Sequence, residues 1–281
     1  MRREYGYHQL EPLDQAALRT KLHSPAYVGG LLNHSAAHLH PLNYALGLAR
    51  AAQQAGVQFY ENSPVLSYRG QAPVIAKLAQ GSLRCKALII ACNGYLDQLD
   101  PKIAAQVMPI NNYMVTTEPL SETQLQALIP ERQAVADSRF VVNYFRLTVD
   151  QRLLFGGGES YSFRFPQDIH SVVRPHLLKI FPQLETTKLD YAWGGTLAIT
   201  LSRLPNFSRL APNIFSVSGY SGHGIALATL AGKLMADAIQ GRDEQFNVFE
   251  RLPKHNFPGG TWLRWPLLVM AMFYYSLRDR L

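Results

Sequence analysis

The chain has 281 residues, 47% hydrophobic and 17% charged, with a formal net charge of +7. That length suffices for one large domain or two intertwined ones, and the composition excludes a disordered chain. Residues 251–281 hold Arg251, Lys254, Arg264, Arg278 and Arg280 against Asp279 alone, yet no aromatic platform or helix-turn-helix spacing accompanies them, so nucleic acid is not expected as a partner.

In chain order, the first residues lack the charged-then-apolar pattern of a signal peptide, and none is expected. His34, His38 and His40 invite a metal reading. Only His38 and His40 share a face if extended, and only His34 and His38 if helical. No nearby carboxylate or cysteine completes a tetrahedral set, so no metal is expected. From Pro41, "PLNYALGLARAAQQAG" reads as a helix, with proline in its first turn and Gly56 as the stop. "VQFYENSPVLSY" reads as two short strands around an Asn62-Ser63-Pro64 turn.

"SLRCKALIIACNGY" gives a continuous apolar run, the pattern of a strand covered on both faces in a parallel or mixed sheet. Cys85 and Cys92 bracket "KALIIA" within it. As one strand, seven steps of about 3.3 Å put them about 23 Å apart, beyond disulfide reach. Two unpaired thiols suit a reducing compartment, and the cytoplasm is the expected location.

"RFVVNYFRLTVDQRLLFGGG" reads as a hairpin turning at Asp150-Gln151. "SVVRPHLLKIFPQL" is a short helix ended by Pro182, and "DYAWGGTLAIT" a further strand. "APNIFSVSG" is a strand and "GIALATLAGKLMADAIQG" a helix stopped by Gly241. A helix-flanked sheet, an inserted antiparallel sheet and a return to the first unit make two spatial domains from three sequence segments. The apolar tail Trp262–Leu277 is interrupted by Arg264 and Pro266 and is too short to span a bilayer. Packing as a helix is expected for it, with weak membrane-surface or partner contact through 262–281 the alternative.

The stretch "SVSGYSGHGIALATLAGKLMADAI", Ser216 to Ile239, is the least ordinary. Strand, glycine turn and helix is the geometry that presents unpaired helical N–H groups to an anion or cofactor. Gly219, Gly222 and Gly224 let a flat ligand approach the backbone, or else they only make a tight connection. The stretch is neither a Walker loop nor G-x-G-x-x-G in spacing.

The pattern "TLSRLPNFSRLAPNIFSVSGYSGHGIALATLAGKLMAD" resembles the C-terminal signature of the FAD-dependent D-amino-acid oxidase-like family, most closely its gamma-glutamylputrescine oxidase branch. "HLHPLNYALGLARAAQQAGVQFYENSPV", "ALIIACNGY", "NYFRLTVDQRLLFGGG" and "WGGTLAIT" resemble successive blocks of that branch in order. The resemblance implies an α/β plus α+β fold, a partial FAD/NAD(P)-binding (glutathione-reductase-like) domain interleaved with an antiparallel-sheet substrate domain. The implied segments are 1–40 (associated with the substrate domain), 41–105 (FAD-binding, first part), 106–200 (substrate domain), 201–250 (FAD-binding, return) and 251–281 (basic, apolar tail). The family's opening G-x-G-x-x-G, which cradles the FAD pyrophosphate, is absent, since Gly156–Gly158 end a hairpin strand and open no helix. The chain is therefore expected to be the C-terminal part of a longer protein or a truncated reading frame.

The resemblance further implies noncovalent FAD, with neither cysteine placed to attach the ring. Val65 would meet the adenine, Ala91 and Asn93 would line the cofactor crevice, and Gly219, Tyr220, Ser221, Gly222, His223, Gly224 and Ile225 would run beside the isoalloxazine ring. The implied reaction moves a hydride from the carbon bearing a gamma-glutamylputrescine-like amine to the flavin, with oxygen as acceptor. His223 would tune or orient, unless it caps the helix or fills the core. Arg146 would meet a substrate carboxylate, unless it is a solvent-side strand residue. Trp193 would lie near the flavin, unless it is a core tryptophan beside a bulge. The competing expectation is a cofactor-free remnant or binding module of the same fold, complementing a separate N-terminal chain.

Overall fold

The computed structural model describes residues 2–70, 72–139, 141–159 and 164–278. The helices are α1 (Arg2–Tyr5), α2 (Gln15–Lys21), α3 (Pro41–Gln54), α4 (Pro101–Gln106), α5 (Glu122–Gln126), α6 (Ile169–Ile180), α7 (Gly224–Ile239), α8 (Glu244–Glu250) and α9 (Gly260–Arg278). The first strands are β1 (Leu10–Leu13), β2 (Gly30–Asn33), β3 (Val65–Arg69), β4 (Val74–Leu78), β5 (Gly81–Cys85), β6 (Leu88–Ile90) and β7 (Met108–Thr117). They are followed by β8 (Val135–Ala136), β9 (Tyr144–Leu147), β10 (Leu153–Glu159), β11 (Leu189–Ile199), β12 (Asn206–Ala211) and β13 (Ile214–Ser218). These elements form two units, one of Met1–Leu39, Asn111–Gly195 and Tyr275–Leu281, the other of His40–Ile110 and Thr196–Tyr274.

The first unit is built on the sheet order β11-β7-β10-β9-β8. Alternation decides its faces: Tyr113, Val115, Phe145, Leu147 and Phe155 join Val173, Leu177 and Ile180 of α6 in one core. Asn112, Met114, Tyr144 and Arg146, one residue out of phase, are half-buried on the opposite face. The β9–β10 hairpin turns at Gln151, whose φ of 61° closes it. Its first arm starts at Tyr144 rather than Arg139, because Asp137 holds Asn143 in a loop, accepting from its backbone N–H at 2.9 Å and its amide at 2.7 Å. Phe140 of the expected arm lies outside the described residues. α6 starts at Ile169, capped by Asp168.

The second unit carries the sheet β12-β13-β6, with β6 parallel and β12 antiparallel to β13. α7 covers one face through Ala231, Leu234, Met235 and Ala238 on Phe207, Phe215 and Val217. Ile90 and Ile214 pack with Val74, Ile103 and Val107 in a second cluster. A separate antiparallel sheet, β3-β4-β5, completes the unit.

Two sequence expectations are corrected here. Val57–Tyr60 forms no strand: Val57, Phe59 and Tyr60 are exposed, and β3 pairs with β4 instead. The apolar run is not one strand either, since β5 and β6 belong to different sheets, so the spacing of an extended strand does not apply to Cys85 and Cys92; both pack against one core cluster and both thiols are free. α9 is anchored by Arg264, whose guanidinium donates to the carbonyls of Ala104 and, at 2.8 Å, Val107. No helix among the described residues is long and apolar enough to cross a membrane. The last three residues of the 262–281 tail lie outside the described residues.

Candidate cofactor site

Parallel strands β6 and β13 end side by side, and the chain leaves each through a left-handed residue, Asn93 at φ 47° and Gly219 at φ 70°. The Asn93 side-chain oxygen accepts from the Gly219 N–H at 3.1 Å, pinning one exit to the other. A Cβ on Gly219 would stand 2.5 Å from Thr200 Cγ2, so glycine is required there by the protein's own packing. Ser221 follows at φ 51°, its N–H donating to the Ala198 carbonyl at 3.1 Å and its hydroxyl to the Gly219 carbonyl at 3.2 Å. The Thr200 N–H donates to the same hydroxyl at 3.3 Å. The turn is thus tied to the 198–200 segment at two points.

What the tied turn exposes is different. Gly222 has φ 94°, and a Cβ built on it would meet nothing within 4 Å. His223 occupies the N-cap position of α7 but makes no side-chain cap. Its N–H donates to the Tyr220 carbonyl at 3.0 Å while the imidazole is exposed. Ile225 is also exposed. Helix α7 therefore begins with free N–H groups, a partial positive charge and an open approach over glycine. Tyr220 points the other way: its ring packs with the α7–β13 core, and burial pushes its phenol up to about 12.

Of the sequence candidates, Asn93 and Gly219–Ile225 are brought together. Ala91 is exposed just after β6, and Val65 is exposed at the start of β3. Asn93, Tyr220 and Ser221 use their side chains on the protein itself, leaving main chain to a ligand. His223 is neither a side-chain cap nor a core residue. Arg146 and Trp193 belong to the other unit. The Arg146 guanidinium approaches His38 Nδ1 at 3.5 Å on the sheet face opposite the core. Trp193, 44% exposed on β11, is not a core residue. The neighbouring histidines have other tasks: His34 Nε2 lies 2.8 Å from Glu11 Oε2, and His40 caps α3 through the Asn43 N–H at 3.3 Å. Thr200, Ala198 and the Tyr144–Asn112 hydrogen bond were not singled out from sequence. No local spacing flags a residue that braces a loop about twenty positions away.

A glycine turn at the carboxyl ends of two parallel strands, opening an uncapped helix, defines a cofactor-binding α/β protein of the dinucleotide type. The chain belongs to the DAO family of FAD dependent oxidoreductases, whose family model matches residues 1–238. It is 46% identical over 278 residues to the gamma-glutamylputrescine oxidoreductase of Escherichia coli (strain K12), across 99% of this chain and 65% of that protein. It is 37% identical over 284 residues to the probable oxidoreductase OrdL of Haemophilus influenzae, again across 99% of this chain and 65% of the relative. The chain thus spans less than two thirds of the length of these relatives. Its fold matches glycine oxidase from Geobacillus kaustophilus with a TM-score of 0.76 at 19% identity, over 91% of this chain and 70% of that structure.

Proposed function

We propose that this chain contributes the flavin-ring end of the site in an FAD-dependent oxidoreductase acting on an amine, a gamma-glutamylputrescine-like molecule, with oxygen as the final acceptor. Family membership and the 46% identical relative support the chemistry. The observation that carries the assignment to this site is Gly222, open to solvent at the uncapped start of α7. Bound FAD supplies the capacity to take two electrons and a proton from the carbon bearing the amine.

The protein's part is binding and orientation. The first N–H groups of α7 favour negative charge at their end of the helix. Gly222 keeps side-chain bulk out of the way of a planar ring. The unpaired His223 imidazole is free to hold a substrate or cofactor polar group. Within its own unit, Arg146 carries a guanidinium of the kind that meets a substrate carboxylate, and Trp193 an exposed apolar ring. The partner is accordingly a small amine and not nucleic acid, and the two free thiols suit the cytoplasm.

The test is to add FAD to the purified protein, follow the visible flavin bands, then add gamma-glutamylputrescine anaerobically and read their bleaching. Yellow protein whose colour fades with the amine is the expected result. Protein that stays colourless with FAD, both alone and mixed with the unmatched part of the E. coli relative, would overturn it in favour of a cofactor-free binding module.

A further inference from the structure

At the end of β13 away from the glycine turn, the same unit holds a cavity of about 470 Å³, a volume in the range of small-molecule sites. Ile214, the first residue of β13, lines it. The glycine turn begins at Gly219, five steps of about 3.3 Å and so about 17 Å further along the strand. A molecule in this cavity and one on the turn are therefore separate occupants.

The end of β3, the start of α4 and the β12–β13 hairpin meet at the cavity. The hairpin supplies an apolar wall. Leu210, Ala211 and Ile214 pack with Val74, Ile103 and Val107 in one cluster, so the wall is fixed in place. The acid of the lining is already engaged. Asp100 is buried, its Oδ1 accepting from the Ile103 N–H at 2.9 Å and its Oδ2 from the Tyr68 hydroxyl. It caps α4 and holds Tyr68, and it pairs with no cation among the described residues.

Arg69 and Lys102 complete the lining. Both are exposed, and neither forms an ion pair or a side-chain hydrogen bond with another described residue. Arg209, Lys233 and Arg242 of the same unit, by contrast, each meet a carboxylate. A single unpaired cation is ordinary solvated surface. Two of them lining one cavity beside a fixed apolar wall form the pattern of a ligand site, with a few polar groups to orient and an apolar face to hold.

We propose that this cavity binds a small organic carboxylate, its charge held by the Arg69 guanidinium and the Lys102 ammonium, its hydrocarbon part laid on Leu210, Ala211 and Ile214. Arg69 can meet a carboxylate with two parallel N–H donors, and Lys102 adds a point charge. An inorganic anion would leave the apolar wall unused, and a cation would meet two like charges. The site is defined without reference to flavin.

The experiment is isothermal titration calorimetry of the purified chain at low salt, with hexanoate as the probe. Saturable one-to-one binding is expected. Arg69→Gln and Lys102→Gln, both at exposed positions, should each weaken it about tenfold with the circular dichroism spectrum unchanged. Arg84→Gln, an exposed cation on β5 outside the lining, should leave it intact. Acetate, which keeps the charge, and hexanol, which keeps the chain, should each bind at least about tenfold more weakly. Absence of saturable hexanoate binding overturns the proposal, and so does binding that survives both lining substitutions. Phosphate binding as tightly as hexanoate overturns it as well, in favour of a plain anion contact, and displacement of hexanoate by FAD would assign the probe to the cofactor turn instead. Because the titration needs no flavin, failure to bind FAD would leave this outcome standing.

Discussion

Gly156–Gly158 on β10 and Gly219–Gly224 after β13 are the two glycine-dense stretches of the chain, and on paper either could admit a ligand. In the first, the missing side chains are replaced by the protein itself. A Cβ on Gly156 would lie 2.2 Å from the Tyr144 ring and 2.5 Å from Met114 Sδ, and one on Gly157 would lie 2.5 Å from Asn143 Oδ1. In the second stretch Gly219 behaves the same way, against Thr200. Gly222 does not, since the space beside it is empty. Glycine in a sequence reports that a side chain is excluded; whether a neighbour or a ligand excludes it depends on what stands in that space.

That contrast can be broken most directly at Gly156. Gly156→Val should cost about 3 kcal/mol of stability, because the new methyls overlap the Tyr144 ring and Met114 in a packed sheet. Urea denaturation measures it, and a loss below about 1 kcal/mol would mean that the run tolerates side chains after all. Gly222→Val is the counterpart. Its left-handed φ makes it cost about 1–2 kcal/mol, while flavin binding should vanish with the circular dichroism spectrum retained. Unchanged FAD affinity in that variant would remove the turn from the site.

Asn93→Gly sharpens the role of the pin. Glycine accepts φ 47° freely, so the substitution isolates the hydrogen bond to Gly219, worth about 1 kcal/mol. A modest rise in the FAD dissociation constant should accompany it, and an unaltered constant would show that the turn keeps its shape without the pin. The smallest stability effect is expected from His223→Ala, within about 0.5 kcal/mol, because the imidazole is exposed and makes no cap. Amine turnover should nonetheless fall or change its pH profile. Wild-type kinetics in this variant would leave the histidine without a function.

Elements with strong local signals were legible. Pro41 and the periodicity after it marked α3, Gly241 closed α7, and Asp150-Gln151 marked the β9–β10 turn. The unalternating "LIIA" run announced a strand with a parallel neighbour. β12 carries no local signal of its own, and Val57–Tyr60 has the composition of a strand without being one, for the same reason: a strand exists by virtue of its partner's hydrogen bonds, and that partner is remote or adjacent without any local mark. At the site, glycine positions could be read from the chain, but the pinning by Asn93 and the bracing by Ala198 and Thr200 could not.

The order of amino acids by itself settled the family pattern, the strand–turn–helix at Ser216–Ile239, and the exclusion of a disordered chain, because these rest on composition and on periodicities within a few turns. Only the tertiary structure decided that Gly222 faces open space while Gly219 does not, that His223 makes no side-chain cap, and that α3 buries none of its residues. Those properties belong to the volume around a residue, and that volume is filled or left empty by segments far away along the chain.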